Sequence, residues 1–222
     1  SGYRKIWVQT LELKNLYIQN NINEKMIEIK EPFAIKYDFN LSTKNNNEIT
    51  LIYCGTIRDQ ENIIELIEEF KKIYLQRKDI RLKIVYGKIH GDYDFKQKIK
   101  KIIKYGVEGI TFRHNLSNYD SCYEIATSDI GVCWRKEKWN NKYEISTKIK
   151  EYELYNLDIL TNNFKLNLNT NVLYFNKEIS NILLNYSKEE KINKNKYNIL
   201  YLANSSLPQI SGYTIRTKQI LK

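Results

Sequence analysis

The sequence predicts an α/β protein whose core is a doubly wound parallel sheet. Across the middle of the chain, apolar runs of strand length alternate with longer stretches whose apolar residues recur at helical spacing. The apolar runs are continuous, as expected of strands that helices cover on both faces. The 222 residues include only 2 prolines and 8 glycines, fewer than a turn-dense all-β protein would need. This alternation predicts right-handed βαβ units.

The first elements lie near the amino-terminal end of the sequence. Residues 6–10 predict a strand, residues 11–20 an amphipathic helix, and residues 26–30 a short strand that stops before Pro32. Residues 38–48 are polar and show no periodicity, so we predict that they form a linker.

The clearest alternation begins at residue 49. The first apolar run ends at Gly55, which is typical of a buried parallel strand. Gly106 suits the carboxyl end of a later helix. The predicted strands are 49–54, 81–86, 110–113, 129–134 and 158–161, and the predicted helices are 60–77, 95–103, 119–127 and 146–155.

The pattern becomes weaker in the last quarter of the sequence. Residues 172–175 predict an edge strand, residues 179–186 a helix, and the charged segment 189–196 a break between domains. A new strand, loop and helix follow, and the sequence stops inside that helix, so we expect a piece of a longer protein. The predicted parts are the end of one domain (1–46), one whole domain (47–190) and the start of another (191–222).

The formal net charge of +10, from 36 Lys and Arg against 26 Asp and Glu, raises the question of nucleic-acid binding. Only seven of the 36 basic residues are Arg, the residue that supplies most bidentate contacts to bases and phosphates. Lys, Asn, Ile and Tyr are all abundant, as the codons of an A/T-rich genome would produce. We interpret most of the charge as solvated Lys and predict no nucleic-acid partner, with an anionic membrane surface as the alternative.

The cysteines and the apolar runs predict the compartment. Cys54, Cys122 and Cys133 are widely spaced and form neither a metal-type pair nor a disulfide framework, which favours a reducing environment. No apolar run approaches the ~18–20 residues of a membrane span, and no leader segment opens the sequence. We therefore expect a cytoplasmic protein.

The loops that follow the predicted strands are the first candidate sites, because ligands bind at the carboxyl ends of strands in an open parallel sheet. Gly55 would let a ligand approach the backbone, and the guanidinium of Arg58 can fork onto a phosphate. His90 and His114 follow the next two strands and can contact a ligand ring or phosphate. Each of these residues is equally compatible with an ordinary loop.

The start of the helix predicted at 146–155 is the second candidate site. Ser146 or Thr147 can cap this helix so that its free N–H groups face an anion, and Lys148 adds positive charge. Glu151, one turn further, can accept hydrogen bonds from ribose hydroxyls. The alternative is a capped helix with a surface glutamate. The sequence has no Walker loop, dinucleotide-binding glycine motif, zinc spacing or nucleophile–base pair, so we predict neither a metal nor a cofactor.

Taken together, these elements resemble the carboxyl-terminal, donor-binding domain of GT-B glycosyltransferases, in the large retaining group that uses nucleotide sugars and builds polysaccharides. The most specific stretch is STKIKEYELYNLDIL at residues 146–160, which is similar to the family's segment with a Ser-Thr-Lys start and a Glu-Tyr pair. The other stretches that carry the resemblance are YCGTIR (53–58) with Asn62, KIVYG (83–87), ITF (110–112) and ATSDIGV (126–132).

The flanking segments resemble parts of the same fold. Residues 6–30 are similar to the last strand and helix of the family's amino-terminal acceptor domain. Residues 198–217 resemble the first strand, loop and helix of such a domain. This order implies a fragment of a tandem, two-transferase polypeptide. Because most of the acceptor domain would be missing, the fragment alone would bind nucleotide and transfer little.

The resemblance implies a nucleoside-diphosphate sugar, a UDP- or GDP-sugar, as the donor, and a glycan or lipid-linked acceptor. Arg58 would contact the pyrophosphate. The family usually has a lysine where this sequence has Glu61, and Lys148 would take over that charge. The other residues implied in donor binding are Gly55 in the first loop, Ser146 and Thr147 at the distal phosphate, Glu151 at the ribose, and His114 and Leu116 beside the base.

The implied setting is assembly of a bacterial surface polysaccharide, such as capsule or lipopolysaccharide, in the cytoplasm or at the inner face of the membrane. Two other classes of protein stay open. One is a degenerate, non-catalytic α/β module that binds another protein, an interpretation that Glu61 favours. The other is a Lys-rich protein that binds nucleic acid or a membrane surface.

Overall fold

The structure, a computed structural model, describes residues 5–30, 34–40, 47–136, 146–162, 170–175 and 179–188. The chain divides into two compact units, Ser1–Leu184 and Asn185–Lys222. The second unit is described only at residues 185–188. The predicted break at 189–196 and the strand–loop–helix unit after it lie outside the described residues. The predicted domain boundaries therefore stay predictions.

The first unit contains a six-stranded sheet with the order β10-β9-β8-β3-β5-β7, and every neighbouring pair of strands is parallel. Helices cover this sheet, so the predicted doubly wound α/β fold is confirmed. The elements are β1 (Ile6–Val8), α1 (Leu11–Gln19), β2 (Ile27–Ile29), β3 (Ile49–Cys54), β4 (Ile57–Arg58), α2 (Ile63–Gln76), β5 (Ile80–Tyr86), β6 (Ile89–His90), α3 (Tyr93–Tyr105), β7 (Ile110–His114), α4 (Asn118–Ala126), β8 (Ile130–Cys133), α5 (Thr147–Leu154), β9 (Asp158–Thr161), β10 (Val172–Tyr174) and α6 (Ser180–Asn185).

Local signals explain where most helices begin and end. The carboxylate of Asp92 accepts a hydrogen bond from the first turn of α3, and Gly106 ends that helix at a φ of 70°. Ser117 caps α4 in the same way as Asp92 caps α3. The predicted start of α2 at residue 60 is wrong, because Asp59–Glu61 form a 3-10 turn and Asn62 adopts a left-handed conformation before the α-helix begins.

Two smaller sheets flank the main one. Strands β1 and β2 pair in parallel around α1, and no residue of α1 is buried. Strands β4 and β6 form a short parallel pair through residues 57–58 and 89–90. Among the described helices, none is long and apolar enough to cross a membrane.

The strand order places the topological switch of the sheet between β3 and β8. From β3 the sheet grows through β5 to β7 on one side, and through β8, β9 and β10 on the other. The ladder between β3 and β8 covers only two residue pairs. Beyond it, the hydroxyl of Tyr152 accepts a hydrogen bond from the N–H of Cys54 at 3.1 Å and donates one to the carbonyl of Val132 at 3.4 Å. A side chain of α5 therefore bridges the two strands where their direct pairing stops.

Gly131 on β8 makes this bridge sterically feasible. A Cβ atom at this position would overlap the ring of Tyr152, which is fully buried.

We expect Gly131→Ala to lower the free energy of unfolding by about 1–3 kcal/mol through overpacking. Urea denaturation monitored by circular dichroism measures this change. Gly87→Ala is the matched control, since a Cβ there would meet no atom within 4 Å. Equal losses in the two variants would contradict the bridge.

Candidate functional site

A cleft of about 350 Å³ lies at the carboxyl ends of β3 and β8, beside the start of α5. This is the topological switch point, where open α/β sheets bind their ligands. Of the eight site residues predicted from the sequence, six line this cleft. They are Gly55, Arg58, Ser146, Thr147, Lys148 and Glu151.

A buried ion pair joins two walls of the cleft. The ammonium of Lys148 on α5 lies 2.5 Å from the carboxylate of Glu61, which follows β3. The side chains are only 9% and 3% exposed, respectively. The positive charge of Lys148, which is predicted from the sequence to contact a ligand, is thus largely neutralised inside the protein. Lys148 therefore does not simply replace the lysine that the resemblance leads us to expect at position 61, because Glu61, which occupies that position, binds Lys148.

Gly55 and Tyr53 shape the path of the Lys148 side chain. A Cβ on Gly55, whose φ is +144°, would lie 2.5 Å from Cε of Lys148. The ammonium donates a hydrogen bond to the Tyr53 hydroxyl at 3.2 Å and lies 4.4 Å from the centroid of that ring. Burial, with the nearby Glu61, raises the pKa of Tyr53 well above its ordinary value, so the phenol stays neutral. The positive φ is what favours glycine at position 55, because the flexible end of the lysine side chain could move away from a Cβ atom.

Arg135 is the cation of the cleft that sequence reasoning missed. Its Nε lies 3.4 Å from the second oxygen of Glu61, and this buried atom has no hydrogen-bond partner in the described part of the chain. The amide side chain of Asn162 holds the backbone of Arg135 by accepting from its N–H at 3.2 Å and donating to its carbonyl at 2.7 Å. The sequence does contain a signal for it, because Arg135 is a basic residue directly after the apolar run that forms β8.

Arg58 is the exposed cation of the cleft. Its backbone belongs to β4, which pairs with β6, while its side chain makes no ion pair or hydrogen bond with the residues that the structure describes. The described lining thus holds three cations, Arg58, Arg135 and Lys148, against the carboxylates of Glu61 and Glu151. A local excess of positive charge is left for an anionic ligand.

Glu151 faces the cleft one turn into α5. Burial raises the pKa of its carboxyl above the ordinary value, and the charge of Lys148 offsets part of that rise. Its carboxylate accepts no hydrogen bond from any residue in the described ranges. It is therefore available to accept hydrogen bonds from the hydroxyl groups of a ligand.

The start of α5 differs from the prediction in one respect. Ser146 occupies the N-cap position, but its hydroxyl makes no capping hydrogen bond, and Thr147 is the first helical residue rather than the cap. The predicted N-cap position at Ser146 is therefore confirmed, whereas the capping hydrogen bond expected from its side chain does not form. No side chain therefore satisfies the first N–H groups of α5 among the described residues, and an anion in the cleft could do so.

Two predicted base contacts lie elsewhere. His114 lines a separate cavity of about 570 Å³, with its Nε2 3.0 Å from the carbonyl of Gly87 and its ring 4.8 Å from that of Tyr86. Leu116 packs against the apolar core formed by residues of β3, β8 and α5. His90 pairs through its backbone with Arg58 in the β4–β6 ladder.

The chemistry of the remaining groups near the cleft is limited. Burial raises the pKa of Cys54 to about 12, so this cleft-lining thiol is a poor nucleophile. Within the described ranges, no cluster of three or more His, Cys, Asp or Glu side chains could hold a metal ion. The cleft lining thus presents cations and free N–H groups, which suit an anion, and one carboxylate that suits hydroxyl groups.

Comparisons with known proteins identify the fold. No family profile and no curated protein matches this sequence. Among solved structures, the chain is similar to HepE of Anabaena in complex with UDP, with a TM-score of 0.58 and 12% identity over 87% of this chain and 55% of HepE. It is similar to TarM of S. aureus, with a TM-score of 0.55 and 14% identity over 86% of this chain and 36% of TarM.

A third similar structure is the amino-terminal domain of trehalose-6-phosphate phosphatase from Candida albicans, with a TM-score of 0.58 and 12% identity over 86% of this chain and 52% of that one. At these identities the likeness shows the fold alone, a Rossmann-like α/β domain of the GT-B type. The chain spans about half the length of HepE and less of TarM.

The buried pair gives a direct test of the site's architecture. Glu61→Gln leaves Lys148 and Arg135 without their carboxylate, so we expect the free energy of unfolding to fall by about 3–5 kcal/mol. Lys148→Met should lower the free energy of unfolding by less, because Glu61 keeps Arg135 as a partner and the methionine side chain fills the space of the apolar lysine stem. Urea denaturation measures both changes.

Glu68→Gln on α2 is the control for this test. It breaks an exposed ion pair with Lys71, which should contribute less than about 1 kcal/mol. If Glu61→Gln costs no more than Glu68→Gln, the buried pair does not hold the cleft together.

Proposed function

We propose that this chain is the donor-binding part of a glycosyltransferase and binds a nucleoside-diphosphate sugar, a UDP- or GDP-sugar, in the cleft between β3, β8 and α5. The observation that carries the proposal is a single cleft at the switch point that combines unpaired positive charge, an uncapped helix start and a carboxylate one turn along that helix. A nucleoside diphosphate needs all three features, for its phosphates and its ribose.

Arg58 and Lys148 are assigned to the diphosphate. The leaving group in glycosyl transfer is the nucleoside diphosphate, and fixed cations and N–H donors stabilise its developing charge. Arg58 presents an exposed fork of donors. The ammonium of Lys148 has three N–H donors, of which Glu61 and Tyr53 take two, so the third can reach a phosphate oxygen.

The remaining donor contacts follow from the same placement. The distal phosphate would lie at the N–H groups beside Ser146 and Thr147, with Gly55 allowing close approach, and Glu151 would accept from the ribose hydroxyls. The base would extend toward the loop that carries His114 and Leu116. No bound cofactor is needed for this chemistry, because the charges of the chain itself compensate the diphosphate.

The finer assignment is a retaining hexosyltransferase of bacterial surface-polysaccharide assembly in the cytoplasm. Its acceptor, a glycan or lipid-linked sugar, would bind through a further domain. HepE was crystallised with UDP and glucose, and a TarM variant with UDP and α-GlcNAc-glycerol, which supports this class of substrate. The chain spans about half of HepE, so we propose that it binds nucleotide alone but transfers little.

Calorimetry with UDP, GDP and the corresponding nucleosides tests the proposal. The diphosphates should bind and the nucleosides should bind far more weakly. Arg58→Ala should weaken diphosphate binding by about tenfold or more, the value of a charge-assisted hydrogen bond. Arg113→Ala is the matched control, since Arg113 is exposed and pairs with Glu124 outside the cleft.

Two outcomes of this calorimetry would contradict nucleotide binding in the cleft. Absence of binding to both diphosphates would reject the proposal and favour the non-catalytic interaction module. Equal losses from Arg58→Ala and Arg113→Ala would place the nucleotide outside the cleft.

Glu151 gives a second test, of the ribose contact. Wild type should bind the ribonucleotide several-fold more tightly than its 2′,3′-dideoxy analogue, and Glu151→Ala should remove that preference. Because burial raises the pKa of Glu151, the preference should begin to fade on acidification at a higher pH than an ordinary carboxyl would give. Competition calorimetry measures the preference. A preference unchanged in Glu151→Ala would remove this residue from the site.

A further inference from the structure

Helix α3 presents an unusual concentration of positive charge outside the cleft. Its 13 residues, YDFKQKIKKIIKY, include five lysines and one aspartate. Only Ile99 is fully buried, and the apolar residues around it, Phe95, Ile102 and Ile103, are half-buried. The exposed side of the helix carries Lys98, Lys100, Lys101 and Lys104.

The lysines of α3 have no acidic partners among the described residues. Lys71 and Lys72 on α2, in contrast, each form an ion pair with a glutamate one turn away. Lysines spaced four residues apart repel each other on a helix surface, as Lys96, Lys100 and Lys104 do here. An external anion would remove that repulsion.

The surroundings of the lysines are apolar and aromatic. Lys96, Lys100 and Lys104 line the cavity of about 570 Å³, together with the half-buried Ile89 and Ile103. Two tyrosines, Tyr93 and Tyr105, stand at the two ends of the helix and are 73% and 79% exposed. Tyrosine is enriched where a protein meets the interface between water and lipid.

We propose that the exposed face of α3 is a docking surface for an anionic lipid membrane. The lysines lie against the lipid head groups, the two tyrosines enter the interface, and the groove between α3 and the sheet accommodates the upper part of a lipid chain. The apolar side of α3 is already turned away from solvent, with Ile99 buried, so the helix adheres to the surface and does not insert. This inference does not rest on the proposed function, although His114 borders both this cavity and the position proposed for the base.

Two features favour lipid over nucleic acid as the partner. Every cation on α3 is Lys, a strongly hydrated point charge, whereas bidentate recognition of base edges relies mostly on the planar fork of Arg. The cavity beside these lysines is lined in part by Ile89 and Ile103, which suit an acyl chain better than a hydrogen-bonding base edge. Lysines near an anionic surface each contribute roughly fivefold in binding.

Sedimentation with vesicles tests the surface in the full 222-residue chain. Binding should be strong to phosphatidylcholine vesicles containing about 30% phosphatidylglycerol, weak to pure phosphatidylcholine, and lost at an ionic strength of about 0.5 M. Replacing Lys100, Lys101 and Lys104 together by Gln should weaken binding to the anionic vesicles by about 100-fold. Tyr93→Ser should lower it further.

The control variant removes the same number of charges elsewhere. Lys71, Lys72 and Lys78 are each in an ion pair, and their joint replacement by Gln should weaken vesicle binding by less than about tenfold. Melting curves confirm that both triple variants are folded. Equal losses in the two triple variants would show a nonspecific effect of net charge and overturn the proposal.

A parallel measurement with single-stranded RNA separates the two kinds of partner. The proposal expects the α3 variant to weaken vesicle binding by a larger factor than it weakens RNA binding. Loss of RNA binding in the α3 variant alone, with vesicle binding unchanged, would make α3 a nucleic-acid surface and overturn the proposal. Binding to pure phosphatidylcholine equal to that with anionic vesicles would also overturn it.

Discussion

The buried ion pair between Glu61 and Lys148 is the interaction on which the cleft depends. It joins the 3-10 turn after β3 to the first turn of α5, which lies 87 residues further along the chain. Taking two charges out of water costs several kcal/mol per ion, so such a pair persists only when further polar groups satisfy it. Tyr53 and Arg135 do this here. The result is that the start of α5 is held against the loop after β3.

Two glycines let α5 approach this closely. Gly55 leaves room for the stem of Lys148, and Gly131 leaves room for the ring of Tyr152 one turn later. Tyr152 then bridges β3 and β8 beyond the end of their ladder. The two strands separate at their carboxyl ends because a side chain, rather than direct pairing, joins them there. The cleft is the space that this separation opens, and α5 is both its wall and its support.

The sequence predicted the fold well because its signals are local. Strand β3 is a continuous apolar run, and Asp92 and Gly106 mark the two ends of α3, so these bounds differ little from the predicted ones. The sequence also predicted that Arg58 lies near the start of α5, because the carboxyl ends of parallel strands lie at the same edge of a sheet. The pairing of Glu61 with Lys148 depends on distances between elements remote in sequence, and no local pattern reports it. His114 lies apart because β7 is an edge strand, two positions from β3.

The net charge of +10 includes two groups of charged residues, those of the cleft and those of α3, whose surroundings differ. In the cleft, three cations are nearly balanced by two carboxylates, and burial makes the charges of Lys148 and Glu61 strong and weakly sensitive to salt. On α3 five lysines face one aspartate at an exposed surface, where salt screens them within about 10 Å. The cleft can therefore select one ligand by geometry, whereas α3 can respond only to the charge density of an extended surface. Because few charges are shared between them, binding at one should alter the other little.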